Sequence, residues 1–377
     1  MRILFWTESF FPRIGGSEIA AAALIKALKG RGHQFQVVTH QWSTDHPTDD
    51  TWLGIPIHRV HFNDATFVRR DLNEILPLRQ RIAAIKRRFQ PDLIHIGLTG
   101  PSLFLHNFTA SQFPAPTAIT LHVAPMANEF GRNKPVHEAL AAAAAVVAVS
   151  HATKATILQH LPVIADRCTV IHNALPDPSG AIEEPTFSPP RLLCIGRVTE
   201  QKGFDTAIAA MPAILSRFPD AQLIIAGDGE LTQPLRELAT QLNVSPHLRL
   251  LGWTPPEQIP ALIDTATLVL VPSRWEPFGL TALQAGQRGR VCLASNIDGL
   301  PEVVQHLHTG LLLPPDQPGQ WAQAISTLLA DRPRIASIGR SARQFVARQF
   351  RLSDHIDAYE SLYRRLAGAG RLQEATA

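Results

Sequence analysis

A chain of 377 residues exceeds the size at which one hydrophobic core stops growing, so its length predicts two domains. Hydrophobic residues make up 45% and charged residues 18% of the chain, which excludes global disorder, and a formal net charge of +3 is too small to favour nucleic-acid binding. Three cysteines without a C-x-x-C pair argue against a disulfide framework or a cysteine-rich zinc site, and favour a cytoplasmic protein.

The first forty residues predict a βαβ unit. Strand Arg2–Trp6 is followed by a loop with Gly15 and Gly16, a helix at Ser17–Lys29 and a strand at Gln34–Thr39. The apolar start is too short for a signal peptide, and no apolar run is long enough to span a membrane. Four more strands are predicted at Leu93–Ile96, Thr117–Leu121, Val146–Val149 and Thr169–Ile171. Residues 1–175 are therefore expected to form a doubly wound parallel-sheet domain.

The second half of the chain repeats this α/β pattern. A proline-rich, polar segment at residues 176–190 predicts a linker, and residues 191–349 predict a second Rossmann-like domain. Its predicted strands are Arg191–Ile195, Gln222–Ala226, Leu248–Leu251, Leu268–Val271 and Val291–Ala294. A helical pattern runs from Arg334 to Leu366, and we expect the C-terminal helix, about residues 350–377, to complete the first domain. Two such domains are expected to bind ligands in the cleft between them, at the carboxyl ends of their strands.

Glycines mark two of these post-strand loops. Gly15 and Gly16 precede a helix, where free backbone amides attract an anion, but such glycines also serve turns that need a positive φ. Gly227 follows the strand Gln222–Ala226 and is either part of a ligand loop or of an ordinary tight turn. Because the chain has neither a G-x-G-x-x-G nor a P-loop sequence, nicotinamide and P-loop functions are not favoured.

The loop from Gly196 to Gly203 carries two cations, Arg197 and Lys202. A fixed guanidinium and ammonium can stabilise the charge that develops on a departing nucleoside diphosphate. The alternative is that both are solvated surface charges. In the loop after Leu268–Val271, Glu276 can accept hydrogen bonds from two sugar hydroxyls, although a single loop glutamate is often only solvated.

Taken together, these loops resemble family 4 of the retaining glycosyltransferases, which have the GT-B architecture. The resemblance covers nearly the whole chain. The matching segments are Pro12–Glu18, His122, Val149-Ser150, Ile171–Asn173, Gly196–Asp205, Ala226–Gly229, Leu251-Gly252, Glu276–Leu280, Asp298–Val303 and Thr309–Pro314.

The resemblance implies roles for the second domain. Arg197 and Lys202 would hold the donor diphosphate, with Gly196 and Gly227 in the surrounding loops, and Glu276 would bind hydroxyls of the transferred sugar.

The segment after Glu276 would supply backbone donors. Phe278, Gly279 and Leu280 would bind sugar and phosphate through their amides. The family usually has a second glutamate eight positions after Glu276, which binds the ribose hydroxyls, but this chain has Gln284. An amide oxygen still accepts those bonds without the charge that strengthens them, so weaker ribose binding is expected.

In the first domain, the resemblance implies that Gly15 and Gly16 close onto the diphosphate and sugar, and that His122 lies beside the reacting sugar. The alternative for His122 is a structural histidine. Val123 stands where many relatives have an acidic residue, so no role carries over to it.

The implied reaction moves a hexose-type sugar from a UDP- or GDP-sugar to a hydroxyl of a glycan, glycolipid or small molecule, in cell-surface polysaccharide or glycolipid synthesis. Retention predicts attack on the face that the diphosphate leaves, through an oxocarbenium-like state. Because the chain has no D-x-D sequence and no recognisable histidine ligand spacing, we expect no metal and no further cofactor.

Two rival functions are a nucleotide-sugar epimerase of the same fold, which needs no acceptor, and a non-catalytic two-lobed sugar-binding protein. A basic stretch could also bring the protein to the inner face of an anionic membrane, although an ordinary surface helix is the favoured interpretation. Its cations are Arg79, Arg81, Lys86, Arg87 and Arg88.

Overall fold

The computed structural model describes residues 1–12, 15–61, 72–97, 101–132, 134–178, 185 and 187–374. The chain divides into two compact units. Residues Met1–Ala174 and Leu352–Ala377 form the first unit, and Leu175–Arg351 form the second. Leu175, predicted to end the first domain, and residues 176–178, at the start of the predicted linker, belong to the second unit, whereas 179–184 and 186 lie outside the described residues.

Each unit is built on its own sheet. In the described part of the first unit the strands are β1 (Arg2–Trp6), β2 (Gln34–His40), β3 (Asp49–Trp52), β4 (Ile55–Val60), β5 (Leu93–Ile96), β6 (Thr117–Leu121), β7 (Ala145–Ala148) and β8 (Cys168–Val170). In the second they are β9 (Arg191–Ile195), β10 (Gln222–Ala226), β11 (Leu248–Gly252), β12 (Leu268–Val271), β13 (Val291–Ser295) and β14 (Gly310–Leu313).

Helices separate most of these strands. Those of the first unit's main segment are α1 (Gly16–Gly30), α2 (Leu72–Phe89), α3 (Pro101–Ala110), α4 (Pro135–Ala142) and α5 (His151–His160). Those of the second unit are α6 (Phe204–Leu215), α7 (Thr232–Gln241), α8 (Ile259–Thr265), α9 (Leu280–Gln287), α10 (Leu300–Val303), α11 (Pro318–Leu329) and α12 (Arg332–Gln349). The last helix, α13 (Leu352–Glu374), returns to the first unit.

The first sheet has the order β3-β4-β2-β1-β5-β6-β7-β8. All its strand pairs are parallel except the edge pair of β3 with β4. Side chains alternate between the two faces, so Ile3 and Phe5 pack in one core layer, and Leu4 and Trp6 pack in the other. The prediction of a doubly wound parallel sheet is therefore confirmed, with one antiparallel strand added at the edge.

Helix α13 is attached to the first sheet by buried polar contacts. The Tyr363 hydroxyl is hydrogen-bonded to Nδ1 of His95, and the hydroxyls of Tyr359 and Thr120 lie 3.0 Å apart. Near its middle, Glu360 pairs with Arg31, which follows α1. The helical stretch predicted at Arg334–Leu366 is thus two helices, separated at Phe350 and Arg351.

The second sheet is entirely parallel, in the order β11-β10-β9-β12-β13-β14. The order along the sheet reverses between β9 and β12, which are hydrogen-bonded neighbours. In open α/β sheets, ligands bind at such a switch point, outside the carboxyl ends of the strands. This topology therefore predicts a ligand site at the loops that follow β9 and β12.

The basic stretch in α2 does not form a continuous exposed cationic face. Lys86 is fully buried, and its ammonium donates to Thr109 Oγ1 at 2.7 Å. Arg81 donates to the carbonyl oxygen of Thr48 at 3.0 Å and to Asp49 at 3.1 Å, whereas Arg87 is exposed. Among the described residues, no helix combines the length and apolar character that crossing a membrane requires.

Candidate active site

Two loops meet at the switch point of the second sheet. We define the β9 loop as Gly196–Gly203 and the β12 loop as Pro272–Gly279. Their strands are paired side by side and run parallel, so both loops leave the same edge of the sheet. The β9 loop contains a single turn of 3-10 helix at Glu200–Lys202 and leads into α6, and the β12 loop leads into α9.

Glycines allow the loops to touch backbone to backbone. Gly203 has φ +60°, and a Cβ there would lie 2.1 Å from the carbonyl oxygen of Pro272. At Gly227, with φ +149°, a Cβ would lie 1.8 Å from the carbonyl oxygen of Gly196. Any side chain at either position would force the loops apart, so close packing explains both glycines.

An ion pair joins the two loops. The Lys202 ammonium donates to Oε2 of Glu276 at 2.6 Å, and their side chains are only 18% and 12% exposed. The two residues that were predicted to bind diphosphate and sugar are therefore in direct contact. Because both side chains are largely shielded from solvent, this charge-assisted hydrogen bond holds them in place more firmly than a solvent-exposed ion pair would.

Glu276 is held further, at its carboxylate and at its backbone, by residues that sequence reasoning did not single out. Ser273 donates its hydroxyl proton to Oε2 at 3.1 Å, and Asp298 accepts the backbone N–H of Glu276 at 2.9 Å. Within the described chain, no partner is found for Oε1, which leaves this oxygen able to accept a ligand hydroxyl. Ser273 lies in the same loop as Glu276, and Asp298 lies in one of the segments that carried the family resemblance. Their positions in the sequence were therefore the only indication that they could contact Glu276.

Arg197 has a different environment from Lys202. Its side chain is exposed and makes no hydrogen bond or ion pair with any residue that the structure describes. It follows Gly196, whose N–H donates to the carbonyl oxygen of Ala226 at the end of β10. Arg197 is therefore a positive charge at the switch point that is not neutralised by a described carboxylate.

The segment that follows Glu276 begins α9. Gly279 has φ +104° and is the residue that precedes the helix, and a Cβ there would lie 2.6 Å from a methyl group of Leu300. Phe278 is buried against the ring of Phe350 at 5.6 Å, so its backbone rather than its side chain is available to a ligand. The first amides of α9, from Leu280 onward, have no intrahelical acceptor and can bind an anion.

Gln284 lies one turn further along α9. It is half-buried and shares a helix face with Thr281, three residues earlier, whose hydroxyl lies 3.4 Å from the carbonyl oxygen of Ile195 at the end of β9. Gln284 thus lies on the same face of α9 as Thr281, and its contact with the ribose stays a prediction.

The remaining predicted residues belong to the first unit. Gly15 precedes α1 with φ −132°, and Gly16 is the first residue of that helix, so neither glycine is required by a positive φ. Both are exposed. A Cβ at Gly15 would lie 2.6 Å from the end of the Glu18 side chain, which can move aside, so this contact does not require a glycine. Arg13 and Ile14, in the same loop, lie outside the described residues.

His122 directly follows β6 at the carboxyl edge of the first sheet. Burial, together with the neighbouring His355, lowers its pKa to about 4. The imidazole is therefore neutral near pH 7, so it can donate or accept a hydrogen bond but cannot supply positive charge.

Two family models match the chain in succession. The model described as Glycosyltransferase Family 4 matches residues 14–177, and the model described as Glycosyl transferases group 1 matches residues 182–345. The chain belongs to the family 4 glycosyltransferases. Together the two matches include every site residue discussed above, and they divide the chain close to the border between its two units.

Characterised members of this family are similar over part of the chain. A GDP-mannose-dependent alpha-(1-6)-phosphatidylinositol monomannoside mannosyltransferase of Mycobacterium tuberculosis (strain CDC 1551 / Oshkosh) is 33% identical over 169 residues. The similar region covers 43% of this chain and 44% of that protein, so the chain spans less than half of this relative's length.

Solved structures of glycosyltransferases share the fold over almost the whole chain. Sucrose-phosphate synthase from Thermosynechococcus elongatus has a TM-score of 0.81 at 23% identity, covering 98% of this chain and 99% of that one. Anabaena Alr3699/HepE in complex with UDP-glucose has a TM-score of 0.78 at 20% identity, covering 96% and 99%. These similarities establish the GT-B fold that was predicted, with two parallel-sheet α/β units.

Proposed function

We propose that this family 4 member is a retaining glycosyltransferase that moves a hexose from a nucleotide-sugar donor to a hydroxyl acceptor. The observation that carries the proposal is the contact of Lys202 with Glu276 at 2.6 Å, at the switch point of the second sheet, with the unpaired Arg197 in the same loop. A nucleotide sugar presents a diphosphate next to a ring of hydroxyls, and a cation next to a carboxylate matches that pair of groups.

In the proposed complex, Arg197, Lys202 and the first amides of α9 hold the diphosphate. Glu276 accepts hydrogen bonds from sugar hydroxyls through Oε1, while Lys202 shares its ammonium between Oε2 and a phosphate oxygen. As the bond from the anomeric carbon to the diphosphate breaks, negative charge grows on the leaving group. Fixed cations and amide dipoles stabilise that charge most in the transition state, which is what accelerates a reaction.

Retention follows if the acceptor attacks from the face that the diphosphate leaves. The acceptor oxygen bonds to the anomeric carbon, the carbon–oxygen bond to the diphosphate breaks, and the hydroxyl proton passes to a leaving phosphate oxygen. Because Arg197 and Lys202 supply the positive charge, the proposal needs no metal ion. Activity should survive chelation, and an activity that requires manganese or magnesium would contradict this part of the proposal.

We also propose donor contacts for residues of the first unit. Gly15 and Gly16 leave the start of α1 open to the donor diphosphate, since neither has a side chain that would shield the helix amides. His122, neutral at pH 7, would hydrogen-bond to a hydroxyl of the transferred sugar.

Both UDP- and GDP-sugars are candidate donors. The mycobacterial relative is named as GDP-mannose-dependent, and the Anabaena structure contains UDP-glucose. The proposed acceptor is a glycan, glycolipid or small molecule in cell-surface polysaccharide or glycolipid synthesis, and the proposed location is the cytoplasm, free or at the inner face of the membrane. The rival functions, an epimerase and a non-catalytic sugar-binding protein, gain no support from relatives that are transferases and synthases.

A thermal-shift screen of UDP- and GDP-sugars, followed by turnover assays with glycan and glycolipid acceptors, tests the proposal. A donor present at 100 times its dissociation constant should stabilise the chain by about 2.7 kcal/mol. The variant Glu276→Gln should lose sugar-dependent stabilisation but keep that of the free nucleoside diphosphate. If no nucleotide sugar stabilises the protein, the proposal is wrong, and if a donor is converted to an epimeric sugar without any acceptor, the epimerase is correct.

A further inference from the structure

One side chain crosses between the two loops of the site. Arg274, in the β12 loop, donates to the carbonyl oxygen of Glu200 in the β9 loop at 2.8 Å. Its two terminal nitrogens also reach the carboxylate of Asp205, in the first turn of α6, at 3.1 and 2.6 Å. The same guanidinium pairs with Asp316, just beyond β14, at 2.8 Å. Arg274 therefore connects the β12 loop with three other segments of the second unit.

Gln201 makes the reverse connection. Its carbonyl oxygen accepts the backbone N–H of Arg274 at 2.8 Å, and its side-chain amide donates to the carbonyl oxygen of Trp275 at 3.1 Å. These contacts involve the residues immediately before Lys202 and before Glu276. Any shift of one loop along the other would break several hydrogen bonds at once, so the Lys202–Glu276 separation is fixed by its neighbours as well as by its own ion pair.

The charge of Arg274 is already neutralised. Two carboxylates face it, and their hydrogen bonds raise its pKa above the ordinary arginine value. Its side chain is 23% exposed, with Asp205 and Asp316 at 40% and 52%. Because the two carboxylates neutralise it, this guanidinium adds little positive electrostatic potential at a phosphate site. Arg197, which has no such partner among the described residues, adds more. The planar guanidinium, which donates several hydrogen bonds in fixed directions, suits Arg274 instead to joining the Glu200 carbonyl oxygen to the Asp205 carboxylate.

We infer that Arg274 is a positioning residue for the donor site: it fixes the distance between Lys202 and Glu276, and with it the spacing of the diphosphate and sugar contacts. The inference rests on the proposed function. It assigns Arg274 no contact with the donor, so its effect on turnover must pass through the two residues that it positions.

Kinetics of Arg274→Gln and Arg274→Lys test this role. Misplacing a reacting group by about 1 Å can cost up to about 100-fold in rate, so Arg274→Gln should lower kcat/KM for the donor by about tenfold or more. Arg274→Lys keeps the positive charge but loses the planar guanidinium, so its kcat/KM should lie between those of the native chain and of Arg274→Gln. Arg249→Gln removes one charge from an exposed position on β11 and is the matched control; it should leave kcat/KM unchanged.

A double-mutant cycle separates positioning from general destabilisation. If Arg274 acts through Lys202, Arg274→Gln should have less than about a twofold effect in a Lys202→Ala background, because the residue it positions is gone. An equal loss of kcat/KM in both backgrounds, or a change of less than about twofold in the single variant, would overturn the inference.

Hydrogen–deuterium exchange gives a readout that does not depend on turnover. In Arg274→Gln, amides of the β9 loop should exchange faster, while those of β9 and β10 keep their protection. Unchanged exchange in the β9 loop contradicts the positioning role even in an active enzyme. Faster exchange in a protein that binds no nucleotide sugar would instead support the connection that Arg274 makes between the two loops and reject the proposed function, so the two failures are distinguishable.

Discussion

Two cations at the carboxyl edge of the second sheet and two basic side chains inside the first unit have opposite kinds of partner. In the second unit, Lys202 and Arg274 lie at the carboxyl edge of the sheet, each 2.6 Å from a carboxylate oxygen. In the first unit, Lys86 and His106 lie inside, with the hydroxyls of Thr109 and Thr117 as partners at 2.7 and 3.3 Å. Among the described residues, no carboxylate pairs with Lys86.

This difference separates a reactive region from a structural one. Burial without a counter-charge favours the neutral forms, and it lowers the pKa of Lys86 to about 7 and that of His106 to about 3. Charged groups at a loop, held by carboxylates, can exchange part of that contact for a phosphate or a hydroxyl. The second unit therefore supplies the fixed charge of the proposed site, whereas the polar interior of the first unit holds its helices on the sheet.

The largest expected effect comes from Arg197→Ala, which removes the unpaired charge at the switch point. A single group that stabilises charge in the transition state contributes about 10²- to 10³-fold, so kcat/KM should fall by about that factor. Steady-state kinetics with the identified donor provide the measurement, and Arg249→Ala controls for the lost charge. Near-normal kinetics would mean that the charged edge of the second unit does not hold the leaving group.

Replacement of Gln284 sharpens the comparison within the second unit. Gln284→Glu adds the charge that the family usually has at this position and should tighten donor binding, whereas Gln284→Ala should weaken it by about two- to tenfold, as expected for one lost hydrogen bond. Calorimetric titration with the nucleoside diphosphate measures both. Equal affinities in all three proteins would show that the ribose is held elsewhere.

The smallest effect on catalysis is expected for Lys86, whose contribution should appear in stability instead. Its pKa is about 7 in the folded state against 10.5 for the free group. Below pH 7 both states carry the proton; between about pH 7 and 10.5 the unfolded state binds more protons, so the free energy of unfolding rises with pH, by at most about 1.4 kcal/mol per unit.

Lys86→Met should remove this rise. Urea unfolding between pH 7 and 9 compares the variant with the native chain, and Lys26→Met, at an exposed position of α1, is the matched control. Parallel stability curves for the native chain and Lys86→Met would contradict the view that the buried ammonium loses its proton in the folded state.

Most of the sheet could be predicted from the sequence because buried parallel strands are continuous apolar runs. Strands Arg2–Trp6, Thr117–Leu121 and Leu268–Val271 were predicted residue for residue. The strands β3, β4 and β14 were missed for physical reasons: the edge strand β3 is short, polar and largely exposed, and its neighbour β4 contains Pro56, which normally argues against a strand. β14 begins at a glycine, a residue that is depleted in strands and weakens a strand pattern.

Less of the site could be predicted. The loops with Lys202 and Glu276 were found because each follows an apolar strand, but their direct ion pair joins residues 74 positions apart and leaves no local pattern. The same holds for Arg274 and Asp205, which are 69 positions apart. The break between α12 and α13 was also missed, because neither Gly nor Pro marks Phe350 and Arg351. A buried strand can be recognised from a local run of apolar residues, whereas a side-chain pair between distant positions is apparent only in the folded structure.

A crystal structure with UDP or GDP, whichever gives the larger thermal shift, tests the central claim most directly. We predict that the diphosphate oxygens lie within hydrogen-bond distance of Arg197, Lys202 and the first amides of α9, with the Glu276 carboxylate still next to Lys202. A diphosphate that is well ordered elsewhere, with Arg197 and Lys202 making no contact to it, would contradict the account.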